Sequence, residues 1–579
     1  MSGVFWASKY PQGMSATIEG LAYTSILDVL DQAVNNFQGK TAFSNLGYEL
    51  SFQQLDVLSD RFASWLQNHT DLQPGDRIAV QLPNVLQYPV TVFGALKAGL
   101  IVVNVNPLYT ERELEHQLND SGAKALVVLA NMAHLAEAVL PKTDIKQVVI
   151  TEVADILPPV KRLLINSVVR YVKKMVPAYS IDHAVSFNKA LENGRVRPVK
   201  RHQVKVNDTA VLQYTGGTTG IAKGAELSHA NVVSNMLQVF EMVKQDIDTG
   251  KELIVAPLPL YHIYSFTVHC MVGLLTGMHS MLITNPRDIL GFTKELKKTR
   301  FTMMVGLNTL FNGLMKNPDF QALDFSNLKL TLSGGMALQM DTAERWQQVT
   351  GCAINEGYGM TEASPIISLN PITDNRLGTI GMPLPSTEAR IVNDEGQDLG
   401  TDAVGELQIR GPQVMKGYWQ RPEETAQILS ADGWLSTGDI CTLDRDGYLR
   451  IVDRKKDMIS VSGFNVYPNE LEDVLARHED VEACAAIGLP CDKTGEKIKM
   501  FVVLRAGATT TADDLKQHFR QYVTGYKVPR EFEFRSELPV TNVGKILRRA
   551  LRDEESGIQA QQQSKTQANR EESLESEVS

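Results

Sequence analysis

The sequence is poor in cysteine and has no excess of positive charge. Its five cysteines are scattered over 579 residues, form no Cys-x-x-Cys pair, and none lies before position 270. This usage is typical of a reducing compartment and argues against a disulfide framework or a cysteine-based zinc site. With 57 basic and 67 acidic residues, the net charge is -10. Because nucleic-acid binding depends on basic surface, we expect no nucleic-acid partner.

A secretory signal and a membrane span are also missing. The N-terminus has no basic region leading into an apolar run, so we expect a cytoplasmic protein. Residues 253–286 contain no charged side chain and are long enough to cross a bilayer. However, Pro257 and Pro259 interrupt the segment, and three histidines would lie at membrane depth. We therefore predict a buried strand, a loop and a core helix here.

What the sequence does have is an alternation of strand-like and helix-like segments. Strand-like apolar runs occur at 77–82, 125–129 and 147–150, between stretches of helical periodicity at 51–67 and 111–120. This alternation predicts an α/β fold, with a large N-terminal domain of parallel sheets and crossover helices. After about residue 376, short β-rich pieces with Gly, Pro and Asp turns predict a β subdomain.

Composition along the chain also suggests domain boundaries. We expect a large N-terminal domain over 1–453, with its β subdomain at about 376–453, and a charged hinge at 454–457. A small, mobile α+β domain should occupy 458–554. Residues 555–579 are rich in Gln, Glu and Ser, and we expect a disordered tail.

Residues 158–177 combine five basic side chains with no acidic one. Their apolar residues fall at helical spacing, which predicts a basic amphipathic helix. Such a helix suits an anionic membrane surface, and we expect the protein to associate peripherally with the inner membrane. The alternative is a surface helix whose apolar stripe packs on the domain. The members of that stripe are Leu164, Ile165, Val168, Val169, Val172 and Val176.

The sharpest motif is a Gly- and Thr-rich segment at 213–224, directly after the strand-like residues 209–212. Its backbone N–H groups and hydroxyls are suited to binding phosphate oxygens. It is not a Walker A loop, because Ala222 and Gly224 stand where that motif requires Gly and Ser or Thr. The alternative for this segment alone is an ordinary turn.

Four further motifs accompany this loop in a fixed order, at 358–362, 436–439, 453–457 and 542–549. Together they resemble the adenylate-forming superfamily of acyl-CoA synthetases, luciferases and peptide-synthetase adenylation domains. Residues 432–459 look like the fatty-acyl-CoA synthetase signature, and 104–123 and 461–474 resemble bacterial long-chain-fatty-acid CoA ligases. Two neighbours of the motifs depart from the common pattern, Ser436 where many relatives have His and Met360 where Leu is usual.

The resemblance implies an enzyme that activates long-chain fatty acids for fatty acid degradation or lipid synthesis. Fatty acid, ATP and CoA would become acyl-CoA, AMP and pyrophosphate through an acyl-adenylate, with Mg²⁺ as cofactor. One alternative is an adenylate-forming enzyme that uses a different carboxylate or acyl acceptor. A non-catalytic acyl-binding membrane protein is the other, and the presence of Lys545, Glu362 and Asp439 argues against it.

The same resemblance implies roles for individual residues. Lys545, His262 and Glu362 would be catalytic, and Glu362 with Thr215 would bind Mg²⁺. Lys456 would be the pivot of the hinge, and Gly463 would line the CoA channel. The residues expected to contact ATP or CoA are Tyr214, Thr215, Gly216, Gly217, Thr218, Thr219, Gly220, Lys223, Gly335, Tyr358, Gly359, Thr361, Asp439, Arg454, Lys456 and Gly463.

Purely structural roles stay open as alternatives for several of these residues. Tyr358 could be a core aromatic, His262 a hydrogen-bonded core histidine and Lys456 part of a plain linker. The sequence leaves open the acyl chain length, the residue that closes the acyl tunnel and the contacts of the CoA 3′-phosphate. It also leaves open the role of the tail and the oligomeric state, a homodimer included.

Overall fold

The computed structural model describes residues 4–18, 22–215, 222–462, 464–491, 493–540 and 546–557. Contacts divide the chain into two compact units. The first comprises residues 1–390, 408–437 and 444–449, and the second comprises 391–407, 438–443 and 450–579. The domain boundaries expected from the sequence stay a prediction.

The first unit contains a seven-stranded sheet that is parallel except for its last strand. The predicted strands at 77–82, 125–129 and 147–150 all lie in it. Across the sheet the strands are Ala184–Ser186, Gln147–Thr151, Ala123–Leu129, Arg77–Gln81, Ile101–Asn104, Thr209–Thr215 and Lys223–Ser228.

A nine-stranded sheet forms the other half of the first unit, with six parallel strands at its centre and antiparallel pairs at both edges. Across the sheet the strands are Met382–Pro383, Ile366–Leu369, Ile354–Gly359, Leu330–Ser333, Met303–Gly306, Leu253–Ala256, His279–Leu282, Thr41–Asn45 and Tyr48–Ser51.

Helices connect these strands, as the alternating pattern predicts. Three begin with capping boxes, in which Ser51 with Gln54, Thr110 with Glu113 and Ser228 with Asn231 satisfy the first free N–H groups. The α-helices of this unit are Ile26–Phe37, Phe52–His69, Gln87–Lys97, Glu111–Ser121, Ala133–Val139, Pro159–Ser167, Phe187–Asn193, His229–Val243, Ile263–Ser265, Gly273–Thr276, Ile289–Leu296, Asn308–Met315, Pro318–Gln321, Met340–Thr350 and Pro422–Ile428.

The uncharged segment 253–286 is interior structure, as predicted. It forms a buried strand, a loop, a helical stretch that includes the π-helical turn Phe266–Val272, and a second buried strand. Over the part of the chain that the structure describes, no helix has the length and apolar character needed to traverse a bilayer.

Most of the β-rich segment after residue 376 forms a four-stranded sheet. Its strands, in order, are Glu388–Val392, Gly405–Arg410, Leu435–Leu443 and Leu449–Arg454. A further five-stranded sheet belongs to the second unit and packs with the helices Pro468–Ala476 and Ala512–Tyr522 around one core. Its strands are Phe464–Val466, Ile459–Val461, Gly495–Leu504, Val481–Cys491 and Glu531–Phe534. Residues 548–557 are helical.

Candidate active site

The two ends of the Gly- and Thr-rich segment are fixed by an antiparallel strand pair. The register places Thr215 opposite Lys223, so both expected phosphate-binding residues lie at the base of the loop. Residues 216–221 lie outside the described residues, and with them Gly216, Gly217, Thr218, Thr219 and Gly220. A strand ending in such a loop holds the loop's ends at a set spacing, which suits a phosphate site.

A partly buried polar network anchors this strand pair. The Tyr214 hydroxyl donates a 2.7 Å hydrogen bond to the Asp120 carboxylate, which also pairs with Arg421. Burial, followed by the neighbouring Asp120 carboxylate, raises the pKa of Tyr214 well above its usual value. Because its hydroxyl is committed to Asp120, Tyr214 contributes by holding the strand in place. Just before the other strand of the pair, the Ala222 carbonyl oxygen lies 3.1 Å from His116 Nε2.

Glu362, the expected magnesium ligand, is a buried carboxylate in the short 3-10 turn Thr361–Ala363. The Tyr418 hydroxyl donates a 2.6 Å hydrogen bond to Glu362 Oε1. Burial, with the Glu362 charge beside it, raises the pKa of Tyr418, so this phenol stays protonated as a donor. The turn packs against strand Thr209–Thr215, which brings Glu362 to the part of the molecule where Thr215 ends its strand.

The segment around Tyr418 also contacts the other strand of the phosphate loop. The backbone N–H of Trp419 donates to the Gly224 carbonyl at 2.8 Å, and that of Glu226 donates to the Gly417 carbonyl at 2.9 Å. The Lys223 ammonium lies 5.1 Å from the centre of the Tyr418 ring, within range of a cation–π contact. One aromatic side chain therefore touches both the expected metal ligand and the expected phosphate-binding lysine.

Tyr358 and Gly359 end a central strand of the nine-stranded sheet, beside the turn that carries Glu362. Tyr358 is buried. A Cβ atom at Gly359 would lie 2.1 Å from the Pro365 carbonyl oxygen, so only glycine fits this close approach. Gly335 has φ +88°, a conformation that favours glycine, and a Cβ atom there would lie 3.9 Å from the Leu307 side chain.

Two side chains hold the loop that follows Gly335. Glu356 Oε1 accepts a 2.8 Å hydrogen bond from the Leu338 N–H. The Asn308 side-chain amide donates to the Ala337 carbonyl at 2.6 Å and accepts from the Gln339 N–H at 3.1 Å. Burial raises the pKa of Glu356 to about 8, so this carboxyl is largely protonated at neutral pH.

His262 caps the short helix Ile263–Ser265. Its Nδ1 atom accepts a 3.3 Å hydrogen bond from the Tyr264 N–H, which assigns the ring proton to Nε2. Burial lowers the pKa of His262 to about 4, so the ring is uncharged at neutral pH. It can therefore donate a hydrogen bond to a carboxylate but cannot offer it a positive charge.

In the second unit, the two residues expected at the ribose lie side by side. Arg454 Nε is 3.1 Å from Asp439 Oδ1, and the Asp439 side chain is buried. This pair presents carboxylate acceptors and guanidinium donors together, which suits the hydroxyls of a sugar. The next residues form the 3-10 turn Lys455–Asp457, where burial lowers the pKa of Lys456 to about 8.

The chain just after Lys545 is tied to this turn. Arg548 forms a two-pronged contact with Glu472, at 2.9 and 2.6 Å, and lies 3.4 Å from Asp457 and 3.6 Å from Asp453. Lys545 and Gly463 themselves lie outside the described residues. Over the described part of the chain, no group of three or more His, Cys, Asp or Glu side chains is arranged to hold a metal ion.

Comparison with known proteins identifies the fold. The model of the AMP-binding enzyme family matches residues 30–419, and that of the AMP-binding enzyme C-terminal domain matches residues 470–545. The chain belongs to the AMP-binding enzyme family. The family resemblance and the α/β fold expected from the sequence are both confirmed.

Several AMP-binding relatives are similar over almost their whole length. A long-chain-fatty-acid–CoA ligase of Haemophilus influenzae is 52% identical over 554 residues, covering 95% of this chain and 98% of that protein. The protein of the same name in Salmonella typhimurium is 50% identical over 553 residues, with the same coverage. Among solved structures, ATP-bound MatB from Rhodopseudomonas palustris has a TM-score of 0.78 at 27% identity, covering 91% of this chain and 98% of that one.

The roles expected for individual residues stay predictions. Motif reading did not find Asp120, Tyr418, Asn308 or Glu356, which contact expected site residues or the loops that carry them, nor Arg421, which pairs with Asp120. The sequence gives only a weak signal for these residues. Tyr418 lies in a Gly-Tyr-Trp segment that Arg421 follows closely, whereas Asp120 lies at the end of an ordinary helix.

Proposed function

We infer that the chain is an ATP-dependent long-chain-fatty-acid–CoA ligase. The observation that carries this inference is the identity of about half of all residues, over 95% of the chain, to proteins that bear this name. The reaction converts fatty acid, ATP and CoA into acyl-CoA, AMP and pyrophosphate, for use in fatty acid degradation or lipid synthesis.

The reaction needs two steps because a carboxylate is a poor electrophile. In the first step a carboxylate oxygen bonds to the α-phosphorus of ATP, and the bond to pyrophosphate breaks. In the second step the CoA thiolate sulfur bonds to the acyl carbon, and AMP leaves with the electron pair of the broken C–O bond. The first step brings two anions together, so the protein must supply positive charge and hydrogen-bond donors there.

We assign ATP to the residues that the family motifs mark. The phosphates contact the loop between Thr215 and Lys223, and the adenine lies against Tyr358 and the backbone at Gly335. Gly359 and Thr361 complete the adenine site, and Asp439 with Arg454 binds the ribose hydroxyls. Lys545 provides the cation between the carboxylate and the α-phosphate. His262, which is uncharged, donates a hydrogen bond to the fatty-acid carboxylate through Nε2.

Glu362 and Thr215 are the residues that would hold Mg²⁺. The donor set fits this ion: a buried carboxylate oriented by Tyr418 and a hydroxyl are hard oxygen ligands, and ATP phosphates and water supply the others. When bound, the ion neutralises negative charge on the phosphates. The protein's own contribution is to aim the carboxylate in one direction, through the hydrogen bond from Tyr418.

Lys545 and the CoA thiol both need access to the acyl carbonyl, so we propose that one arrangement of the chain cannot serve both steps. In this proposal 454–457 is the hinge, Lys456 is its pivot and Gly463 lines the CoA channel in the second step. The exposed side of this turn, at Lys455 and Lys456, suits a pivot because backbone rotation is least hindered near solvent. We also propose that the protein works in the cytoplasm at the inner-membrane surface, because fatty acids partition into bilayers.

The test is an assay of AMP release over a ladder of fatty acids, with and without CoA. We expect long-chain acids to give AMP, pyrophosphate and acyl-CoA in equal amounts, with turnover dependent on both ATP and CoA. Formation of acyl-adenylate without consumption of CoA would instead assign a different acyl acceptor. Activity confined to short or aromatic acids would overturn the proposed substrate class.

A further inference from the structure

Helix Pro159–Ser167 and the π-helical turn Val168–Val172 expose large apolar side chains. Together with Met175, just after the turn, these side chains form a set of six that spans sixteen residues. Each is between 53% and 81% exposed: Val160, Leu163, Leu164, Tyr171, Val172 and Met175. Single exposed apolar residues are common on protein surfaces, but a group of this size marks an interaction site. We call these six residues the exposed apolar set.

The fully buried contact of this helix is made by a polar residue. Asn166 is its one buried residue. The Asn166 side chain accepts from the Ala154 N–H at 3.0 Å and donates to Asp155 Oδ1 at 3.2 Å. An ordinary surface helix buries its large apolar side chains, whereas this helix leaves Val160, Leu163 and Leu164 exposed.

This geometry bears on the two alternatives left open by the sequence. Of the predicted stripe, Leu164 and Val172 are exposed, and Ile165, Val168, Val169 and Val176 are only partly buried. The stripe therefore does not pack fully on the domain. Its apolar surface is available to a partner.

The charges around the exposed apolar set are positive. Lys161, Lys173 and Lys174 are exposed, and residues 156–181 contain no Asp or Glu. Arg170 is not available in the same way, because it pairs with Glu152 at 2.8 Å and lies beside Tyr179. Apolar side chains flanked by lysines match a bilayer surface, where acyl chains lie beneath anionic headgroups.

We propose that the exposed apolar set, with Lys161, Lys173 and Lys174, is the site at which this chain docks on an anionic phospholipid bilayer. The apolar side chains enter the interface between headgroups and acyl chains, and the lysines contact the headgroup phosphates. Arg170 fastens the segment to Glu152. The proposal deepens the location proposed above and does not depend on which acyl chain the site accepts.

The experiment is co-sedimentation of the full chain with vesicles of phosphatidylcholine, with and without 30% phosphatidylglycerol. One variant carries Lys161→Glu, Lys173→Glu and Lys174→Glu, and another carries Leu163→Ser, Leu164→Ser and Val172→Ser. A matched charge control changes Lys294, Lys297 and Lys298, which are equally exposed, to Glu. Val196→Ser is the apolar control, at 80% exposure.

We expect the unaltered chain and both controls to bind anionic vesicles, and to bind them more weakly as salt is raised. Both test variants should bind at least tenfold more weakly, with normal turnover on detergent-dispersed fatty acid. Unchanged vesicle binding by the two test variants would overturn the proposal. A loss of self-association or of a protein partner without any change in vesicle binding would also overturn it. Absence of turnover in detergent for the unaltered chain would count against the proposed function alone.

Discussion

The phenol of Tyr418 donates a 2.6 Å hydrogen bond to the carboxylate of Glu362, from 56 residues further along the chain. The same ring lies under the Lys223 ammonium. Glu362 is therefore oriented by a side chain outside its own motif. The same side chain also contacts Lys223, at the base of the phosphate loop. A carboxylate that is held in this way has less freedom to lose when it binds a cation.

Tyr418→Phe removes only the donor and should weaken the contribution of Mg²⁺ to ATP binding. A hydrogen bond to a charged group contributes about 1.5–3 kcal/mol, so we expect a loss of roughly tenfold or more. Calorimetric titration of ATP with and without Mg²⁺ measures this effect apart from turnover. ATP binding in chelator should change little, and Tyr522→Phe at an exposed site is the control. Equal weakening with and without Mg²⁺ would contradict the positioning role.

The sequence predicts this fold well because its strands and helices are encoded locally. Segments such as 77–82 and 111–120 carry their periodicity within a few residues, and the structure places Arg77–Gln81 and Glu111–Ser121 there. The anchors of the site are different. Asp120 and Arg421 are 301 residues apart, and no local pattern connects them.

Residues 158–177 show a second limit of sequence reasoning. Periodicity correctly indicates a helix and an apolar stripe, but it does not reveal what covers the stripe. Nor does it reveal that Arg170, one of the five basic residues of this segment, is paired with Glu152. Both facts depend on residues elsewhere in the chain.

Glu356→Gln should remove a pH dependence of stability. Burial raises the pKa of Glu356 to about 8 from an ordinary 4.5, so the folded state holds a proton that the unfolded state releases in this interval. The contribution of Glu356 to stability is therefore present below about pH 4.5 and is lost as pH rises towards 8. Over this interval, Glu356 changes the free energy of unfolding by at most about 1.4 kcal/mol per pH unit.

Urea unfolding at pH 5, 6, 7 and 8 measures this difference. The glutamine keeps the acceptor for the Leu338 N–H but cannot ionise. We therefore expect the variant to gain stability relative to the parent as pH rises, with little change at pH 5. Parallel curves for the two proteins would show that Glu356 is ionised when folded.

Lys545→Ala should abolish adenylation and spare the second step. The lysine is needed only where the carboxylate and the α-phosphate meet, so thioester formation from supplied acyl-adenylate does not require it. Pyrophosphate release and thioester formation, measured separately, test this division. Equal losses in both steps would refute it.

Lys456→Pro should have the opposite effect if 454–457 is the hinge. Proline fixes φ and restricts rotation at this position, so adenylation should continue and thioester formation should fall at least tenfold. Lys456→Ala is the control, because it removes the charge but leaves the backbone free. Unchanged overall turnover of the proline variant would place the pivot at another residue.

Arg548→Met should destabilise the second unit strongly. Arg548 is the cation shared by Glu472, Asp457 and Asp453, and the Asp453 and Asp457 side chains are buried. Burial already raises the pKa of Asp453 to about 6, and the nearby Arg548 opposes that rise. Removing a buried partner of this kind typically costs about 3–5 kcal/mol, since Asp453 and Glu472 lose their guanidinium, while Asp457 keeps its pair with Arg552.

The pH dependence of the Arg548→Met effect separates lost charge from lost packing. Without the guanidinium, the folded-state pKa of Asp453 should rise further, so the folded state binds a proton that the unfolded state has released. The destabilisation should therefore be larger at pH 7.5 than at pH 5. Thermal unfolding at both pH values measures the difference. Arg549→Met is the matched control, because its neighbouring guanidinium is half exposed and pairs only with Asp553 among the described ion pairs. A loss that is equal at both pH values would assign Arg548 a packing role.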